Sequence, residues 1–328
     1  LLEFLLSEHS FSMPVGRIEY FFMGPMSFEE FLLALGKDRL LGFLREFSLG
    51  DDLPGPIHEE LVHLTRLYCV ICGMPAAVSA YVDSRDIDEA LREHSSITNT
   101  YEDDFAKYGK RINYQRLRRV FAKLPILVGK RLKYSKLGLE ARARELSADV
   151  HLLELARVIY RVCHSAGNGP PLGAEKKEKD FKLLFLDVGI LATSLGLRLP
   201  EVINENALMS VHAGAVAEQF IGQHLLYASP IYQKPCLYYW NRPVPNSSAE
   251  IDYLLEHGAK IVPVEVKAGK SGRLRSLHQF MSEKSESEIA LRFNVQAPSV
   301  LKEQGWILLS LPLYLVGQAI RLLNEVGS

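Results

Sequence analysis

Between Ala249 and Lys267 the chain reads AEIDYLLEHGAKIVPVEVK, a stretch that leaves little freedom in the fold around it. Ile251, Tyr253 and Leu255 alternate with Asp252 and Leu254, His257-Gly258 supplies a turn, and Ile261 to Val266 forms a second apolar run. That pattern predicts a β-hairpin. Side chains two apart on a strand share a face, so Glu265 and Lys267 stand side by side. Asp252 lies near the far end of the partner strand, where its carboxylate and that of Glu265 can converge on one divalent cation with the Lys267 ammonium directed at the same point. Phosphodiester hydrolysis needs a water made nucleophilic near neutral pH and positive charge where the pentavalent phosphate develops. A magnesium-type ion held by carboxylates supplies both, and a lysine adds a donor. The plainer alternative is a solvated edge hairpin with charges of both signs.

With 328 residues, 48% of them hydrophobic and 23% charged, the chain has the composition of an ordinary soluble globular protein of two or three domains. Its net charge of −1 gives no global basic signal, so any nucleic-acid surface has to come from local clustering. Cys69, Cys72, Cys163 and Cys236 are too scattered for a disulfide framework, which predicts a reducing, cytoplasmic setting. Cys69-Val70-Ile71-Cys72 has zinc-ribbon spacing, but no second Cys or His pair follows and its surroundings are apolar, so core packing is expected. The histidines of His58-Glu59-Glu60-Leu61-Val62-His63 are five apart and fall on different helix faces, unlike those of a zinc-protease helix. Trp306 to Leu323 is interrupted by Pro312, Gln318 and Arg321. It reads as a buried strand, Trp306 to Leu311, entering a helix from Leu313, and no membrane span is expected.

Upstream, Asp51 to Pro56 is a turn-rich break, His58 to Cys72 has helical periodicity, Gly73-Met74-Pro75 stops it, and Ile87 to Glu93 reads as another helix. Arg111 to Leu124 predicts a basic amphipathic helix, Leu127 to Tyr134 precedes a Ser135 cap, and Leu137 to Leu146 and His151 to Ala156 predict two more helices. Val158 to His164 then alternates like a strand, Gly167 to Gly173 turns, and Phe181 to Val188 returns as its partner. Helices followed by a two-stranded ribbon predict a winged helix. Lys133, Lys136, Arg142 and Arg144 fall around the expected recognition helix, and Lys176, Lys177, Lys179 and Lys182 on or beside the wing. All are candidates for phosphate contacts, with a solvated loop or a protein-docking surface as the alternative.

The order Asp, then Glu-x-Lys across a hairpin resembles the PD-(D/E)XK nuclease superfamily. The wording EIDYLL followed by PVEVKAG is similar to the C-terminal part of prokaryotic AAA-type (AAA_14) ATPases that carry a DUF4143 region. This resemblance implies that Glu218, on an amphipathic helix GAVAEQFIGQHLLYA, joins Asp252 and Glu265 as metal-facing carboxylates, with Lys267 as the catalytic lysine. Leu237 to Trp240 matches the aromatic strand of that group. The implied cofactor is Mg²⁺ or Mn²⁺, and the implied partner is nucleic acid, DNA in the first place. The opening LLEFLLSEHSFSMPVGRIEYFFMGPMSFEEFLLALG resembles the close of the ATPase domain, with Arg17 in the nucleotide-sensing position. Ser27 with Glu30 three residues on is a capping box independent of any family. No G-x-x-x-x-G-K-[ST] occurs, so the chain reads as the C-terminal two-thirds of a longer ATPase that binds ATP only when intact.

The expected fold is mixed α/β: residues 1–50 the end of an ATPase domain, 51–100 a helical connector, 101–200 a winged-helix-like domain, and 201–328 a restriction-endonuclease-like α/β domain. The expected function is nucleic-acid binding with phosphodiester hydrolysis. The alternative is a non-catalytic DNA-binding or protein-interaction module regulating an ATPase, with a protein partner or a second copy of the chain.

Overall fold

Residues 16–107, 113–196, 213–244, 247–269 and 274–326 are described by the computed structural model. The ATPase-like opening before Gly16 and the Arg111 start of the basic helix lie outside them. Ser27 opens α1 (Phe28–Ala34): its Oγ accepts the Glu30 N–H at 3.2 Å, and the Glu30 carboxylate accepts the Ser27 N–H at 2.6 Å. This is the capping box expected from the sequence. α2 (Asp38–Glu46) follows, and α3 (Gly55–Ile71) starts on Pro54-Gly55-Pro56, where a proline in the first turn forfeits no helical hydrogen bond. Two further helices are α4 (Pro75–Ser84), which was not anticipated, and α5 (Ile87–Lys107), which runs well past Glu93. Cys69 and Cys72 are buried in the core, and burial pushes both thiols up in pKa.

The middle region departs from expectation in its helices. After α6 (Tyr114–Lys123), the helices expected at Leu137 to Leu146 and His151 to Ala156 are one, α7 (Ala143–Leu155), which the chain enters through a 3₁₀ turn (Tyr134–Leu137) and a reversal at Gly138. The Glu145 carboxylate accepts the Arg142 N–H at 3.0 Å and so fixes where α7 begins.

The strands are β1 (Ile159–His164), β2 (Lys177–Phe185), β3 (Leu237–Asn241), β4 (Glu250–His257), β5 (Lys260–Val266), β6 (Ile289–Asn294), β7 (Ser299–Lys302) and β8 (Ile307–Pro312). They form one sheet in the order β2-β1-β3-β4-β5-β6-β8-β7, with β1-β3, β5-β6 and β6-β8 parallel and the other pairs antiparallel. The architecture is mixed α/β. The hairpin expected as a wing is present as β1-β2, but Val162 to His164 also pair with Leu237 to Tyr239. That pairing satisfies an edge that a free ribbon would leave open. The boundary expected at residues 200 and 201 therefore runs across a continuous sheet.

The further helices among the described residues are α8 (Val188–Ser194), α9 (Ala213–Leu226), α10 (Arg275–Glu283) and α11 (Ala319–Val326). α9, expected as an amphipathic helix, is buried on most of its circumference, including Gln219 and Gln223. Gln219 accepts the Phe185 N–H at 2.8 Å and donates to the Phe185 carbonyl at 2.9 Å, completing the end of β2. Gln223 accepts the Val188 N–H at 2.9 Å and donates to the Tyr68 hydroxyl at 2.9 Å. Its polar residues mark tertiary partners, not a solvent face. Among the described residues no single helix is long and apolar enough to cross a membrane.

Candidate functional site

The hairpin β4-β5 is paired from Tyr253↔Val264 to His257↔Lys260, with its turn at Gly258-Ala259, one residue later than expected. Asp252, the next residue outward, accepts the Val266 N–H on Oδ2 at 2.8 Å. Lys267 Nζ donates to Glu265 Oε1, as the two-residue spacing predicts. The other oxygen, Glu265 Oε2, is buried with no hydrogen-bond partner. Asp252 is 9% exposed and Glu265 5%, so both are interior groups and not the part-exposed carboxylates of an edge hairpin.

Glu218 comes from α9, which is tied to the hairpin by the Tyr253 hydroxyl donating to the Glu218 carbonyl at 2.8 Å. That contact depends on Gly222, because a Cβ there would sit 2.4 Å from the Tyr253 hydroxyl. Gly129 backs onto the Glu218 carboxylate: at its φ of +73° a side chain is strained, and a Cβ would lie 2.7 Å from Glu218 Oε2.

Lys182, on β2, is the site residue that sequence reasoning missed. It is 2% exposed, with Nζ 2.5 Å from Glu250 Oε1, 3.6 Å from Asp252 Oδ1 and 5.4 Å from the Tyr239 ring centroid. It does not face solvent phosphates beside the wing. The available signal was a lone lysine inside the apolar run Phe181-Lys182-Leu183-Leu184-Phe185, a placement tolerated only when the charge is paired.

Residues 213–314 match the domain family DUF4143. That family is described as a domain of unknown function, and residues 62–201 match a second one, DUF8612, described in the same terms. No curated protein and no solved structure matches the chain. The DUF4143 region contributes Glu218, Glu250, Asp252, Glu265 and Lys267, whereas Lys182 belongs to the DUF8612 region. The charged cluster thus draws on both.

Burial, then the nearby Asp252, pushes Glu218 up to about 8 against the pull of Lys182. The same two causes push Glu265 up to about 7 against the pull of Lys267. Burial opposes the charge on Lys182, but Asp252, Glu218 and Glu250 outweigh it and raise its pKa. Burial, and after it the neighbouring Asp252, thus outweighs the relief that the two lysines give these carboxylates. Among the described residues no group of three or more His, Cys, Asp or Glu side chains is placed to hold a metal ion. Asp252 and Glu265 suit Mg²⁺, which binds through one or two carboxylates and keeps several waters, and Glu265 Oε2 is an acceptor waiting for a partner.

The expected phosphate contacts Lys133, Lys136, Arg142, Arg144, Lys176 and Lys177 are all exposed, with Lys176 paired to Glu178 at 3.2 Å. Arg17 is exposed as well.

Proposed function

We propose that the chain hydrolyses phosphodiester bonds of nucleic acid in a reaction dependent on a divalent cation held by Asp252 and Glu265. The observation that carries this reading is Glu265 Oε2, buried without a partner beside Asp252 and Lys267. When bound, Mg²⁺ or Mn²⁺ supplies an acidified water and charge compensation. Lys267 offers its remaining ammonium donors to a phosphate oxygen as negative charge builds. Lys182 acts as a positioning residue, holding Asp252 from the side opposite Val266. Isothermal titration with Mn²⁺, run beside a Mn²⁺ cleavage assay on DNA, tests the reading. Wild type binds and cleaves, and Asp252→Asn and Glu265→Gln lose both; a wild type that takes up no Mn²⁺ sinks it.

The ion pairs Lys267 to Glu265 and Lys182 to Asp252 favour a second reading, a non-catalytic platform whose carboxylates are already compensated. A platform binds nucleic acid or a protein partner without Mn²⁺ and cleaves nothing. In both readings Lys133, Lys136, Arg142, Arg144, Lys176 and Lys177 supply exposed phosphate contacts. Replacing Arg142 and Arg144 by alanine then flattens the dependence of log K on log salt by up to about two units, read by anisotropy over a salt series. Unchanged affinity and slope transfer this surface to protein docking. The likeness of the opening residues to the close of an AAA-type ATPase domain supports nucleotide-driven action in an intact protein, with Arg17 sensing nucleotide. Four free cysteines accord with a reducing cytoplasm.

A further inference from the structure

Glu265 pairs in register with Arg292 on β6, and Arg292 with Ser310 on β8, so the three side chains form a row across one face of the sheet. Arg292 Nε donates to Ser310 Oγ at 3.0 Å. Asn294, two residues further along β6 and so on the same face, donates from Nδ2 to the same oxygen at 3.2 Å. The Gln296 N–H donates to Asn294 Oδ1 at 2.8 Å, which fixes the amide with its NH₂ toward Ser310. Both acceptor positions of Ser310 Oγ are then filled, and its proton is left to donate. Next to the carboxylate of Glu265 the sheet thus carries a group of donors only.

Arg292 is also uncompensated. Among the described residues no carboxylate pairs with it, and burial lowers its pKa with nothing opposing. Other part-buried arginines have an acid close by: Arg116 lies 2.6 Å from Asp149 and Arg161 3.0 Å from Glu154. A half-buried guanidinium is costly without a counter-charge. Its planar fork matches a phosphate in shape and charge, and register partners on adjacent strands lie only about 4.8 Å apart.

We propose that Arg292, oriented by Ser310 and Asn294, is a subsite for a phosphate of the nucleic-acid strand, next along the backbone from the phosphate at Asp252 and Glu265. This rests on the reading of those carboxylates as a phosphodiester site. The probe is a fluorescein-labelled single-stranded DNA oligonucleotide, titrated with the full chain in Ca²⁺ over a salt series, beside Mn²⁺ calorimetry and thermal unfolding.

Arg292→Gln is expected to raise the Kd about tenfold and to reduce the salt slope by about 0.7, the contribution of one contact on a single strand, with the Mn²⁺ isotherm and melting unchanged. Arg292→Lys keeps the charge but loses the fork, and covers the case in which glutamine destabilises the fold. A Kd raised about threefold at unchanged slope supports the subsite, and a wild-type Kd overturns it. If Arg292→Gln binds DNA as wild type does while Asp252→Asn abolishes Mn²⁺ binding, the subsite is wrong and the cation site stands. If wild type binds neither Mn²⁺ nor the oligonucleotide, the cation site is wrong and the subsite falls with it.

Discussion

Lys182 reaches Asp252 and Glu250 from β2 and is buried beside Asp252, with Glu250 partly exposed. Lys182→Met leaves the buried carboxylate of Asp252 without this counter-ion, and we expect a loss of about 3–5 kcal/mol in urea unfolding of the metal-free protein. A loss under about 1 kcal/mol would show that water already compensates these acids. The two hairpin carboxylates should behave unequally. Asp252→Ala strands the Val266 N–H and costs about 1–3 kcal/mol, whereas Glu265→Gln removes a group with an unpartnered oxygen and is close to neutral. Equal losses in a denaturant series would refute this asymmetry. Asp252, Glu265 and Lys267 were legible from the sequence because hairpin pairing is local and the period of two assigns faces directly. Lys182 was not, because only the pairing of β1 with β3 brings β2 near the hairpin.

At the scale of elements, α9 holds the structure together through polar groups. His224 donates from Nδ1 to the Phe220 carbonyl at 2.7 Å and accepts the Phe28 N–H on Nε2 at 2.8 Å, so a neutral ring caps the start of α1. Burial depresses its pKa to about 4, from 6.5. In that interval the unfolded chain binds the proton and the folded chain does not, so the contribution is present above pH 6.5 and lost as pH falls toward 4. It amounts to about 3 kcal/mol over the full interval. The urea midpoint should fall between pH 7 and 4.5 in wild type, and less steeply in His224→Asn; parallel pH profiles would exclude this role. Gln219→Leu leaves two backbone groups of Phe185 unsatisfied and should cost about 2–4 kcal/mol. The α1 cap was readable because its partners lie three residues apart. α9 misled because its buried glutamines bond to residues far away in sequence, and a polar residue in a helix ordinarily signals solvent.

For the whole molecule, the sheet crosses both matched regions, and Phe28, Tyr68, Phe220, Tyr239, Phe293 and Leu323 share one core. The chain should therefore unfold in a single transition. Tryptophan fluorescence, reporting on Trp240 and Trp306, and far-UV circular dichroism should give coincident urea curves, and two separated midpoints would contradict this. Mixed α/β class could be read from the alternation of helical and strand patterns. The sheet order could not, since nothing local to β1 specifies a parallel partner some 70 residues away.

The placement of Lys182 also bears on how the sheet finds its alignment. β2 already carries an irregularity against β1, where Cys163 faces Phe181 but His164 faces Lys177, so neighbouring alignments are close at hand. A one-residue slip would turn Lys182 into the hydrophobic layer of Phe181, Leu183 and Phe185, and would present Phe181 or Leu183 to Asp252 and Glu250. Both halves of that exchange are costly. The charge cluster thus acts as a proofreader of strand alignment, penalising a mispaired β2 before any chemistry is asked of it.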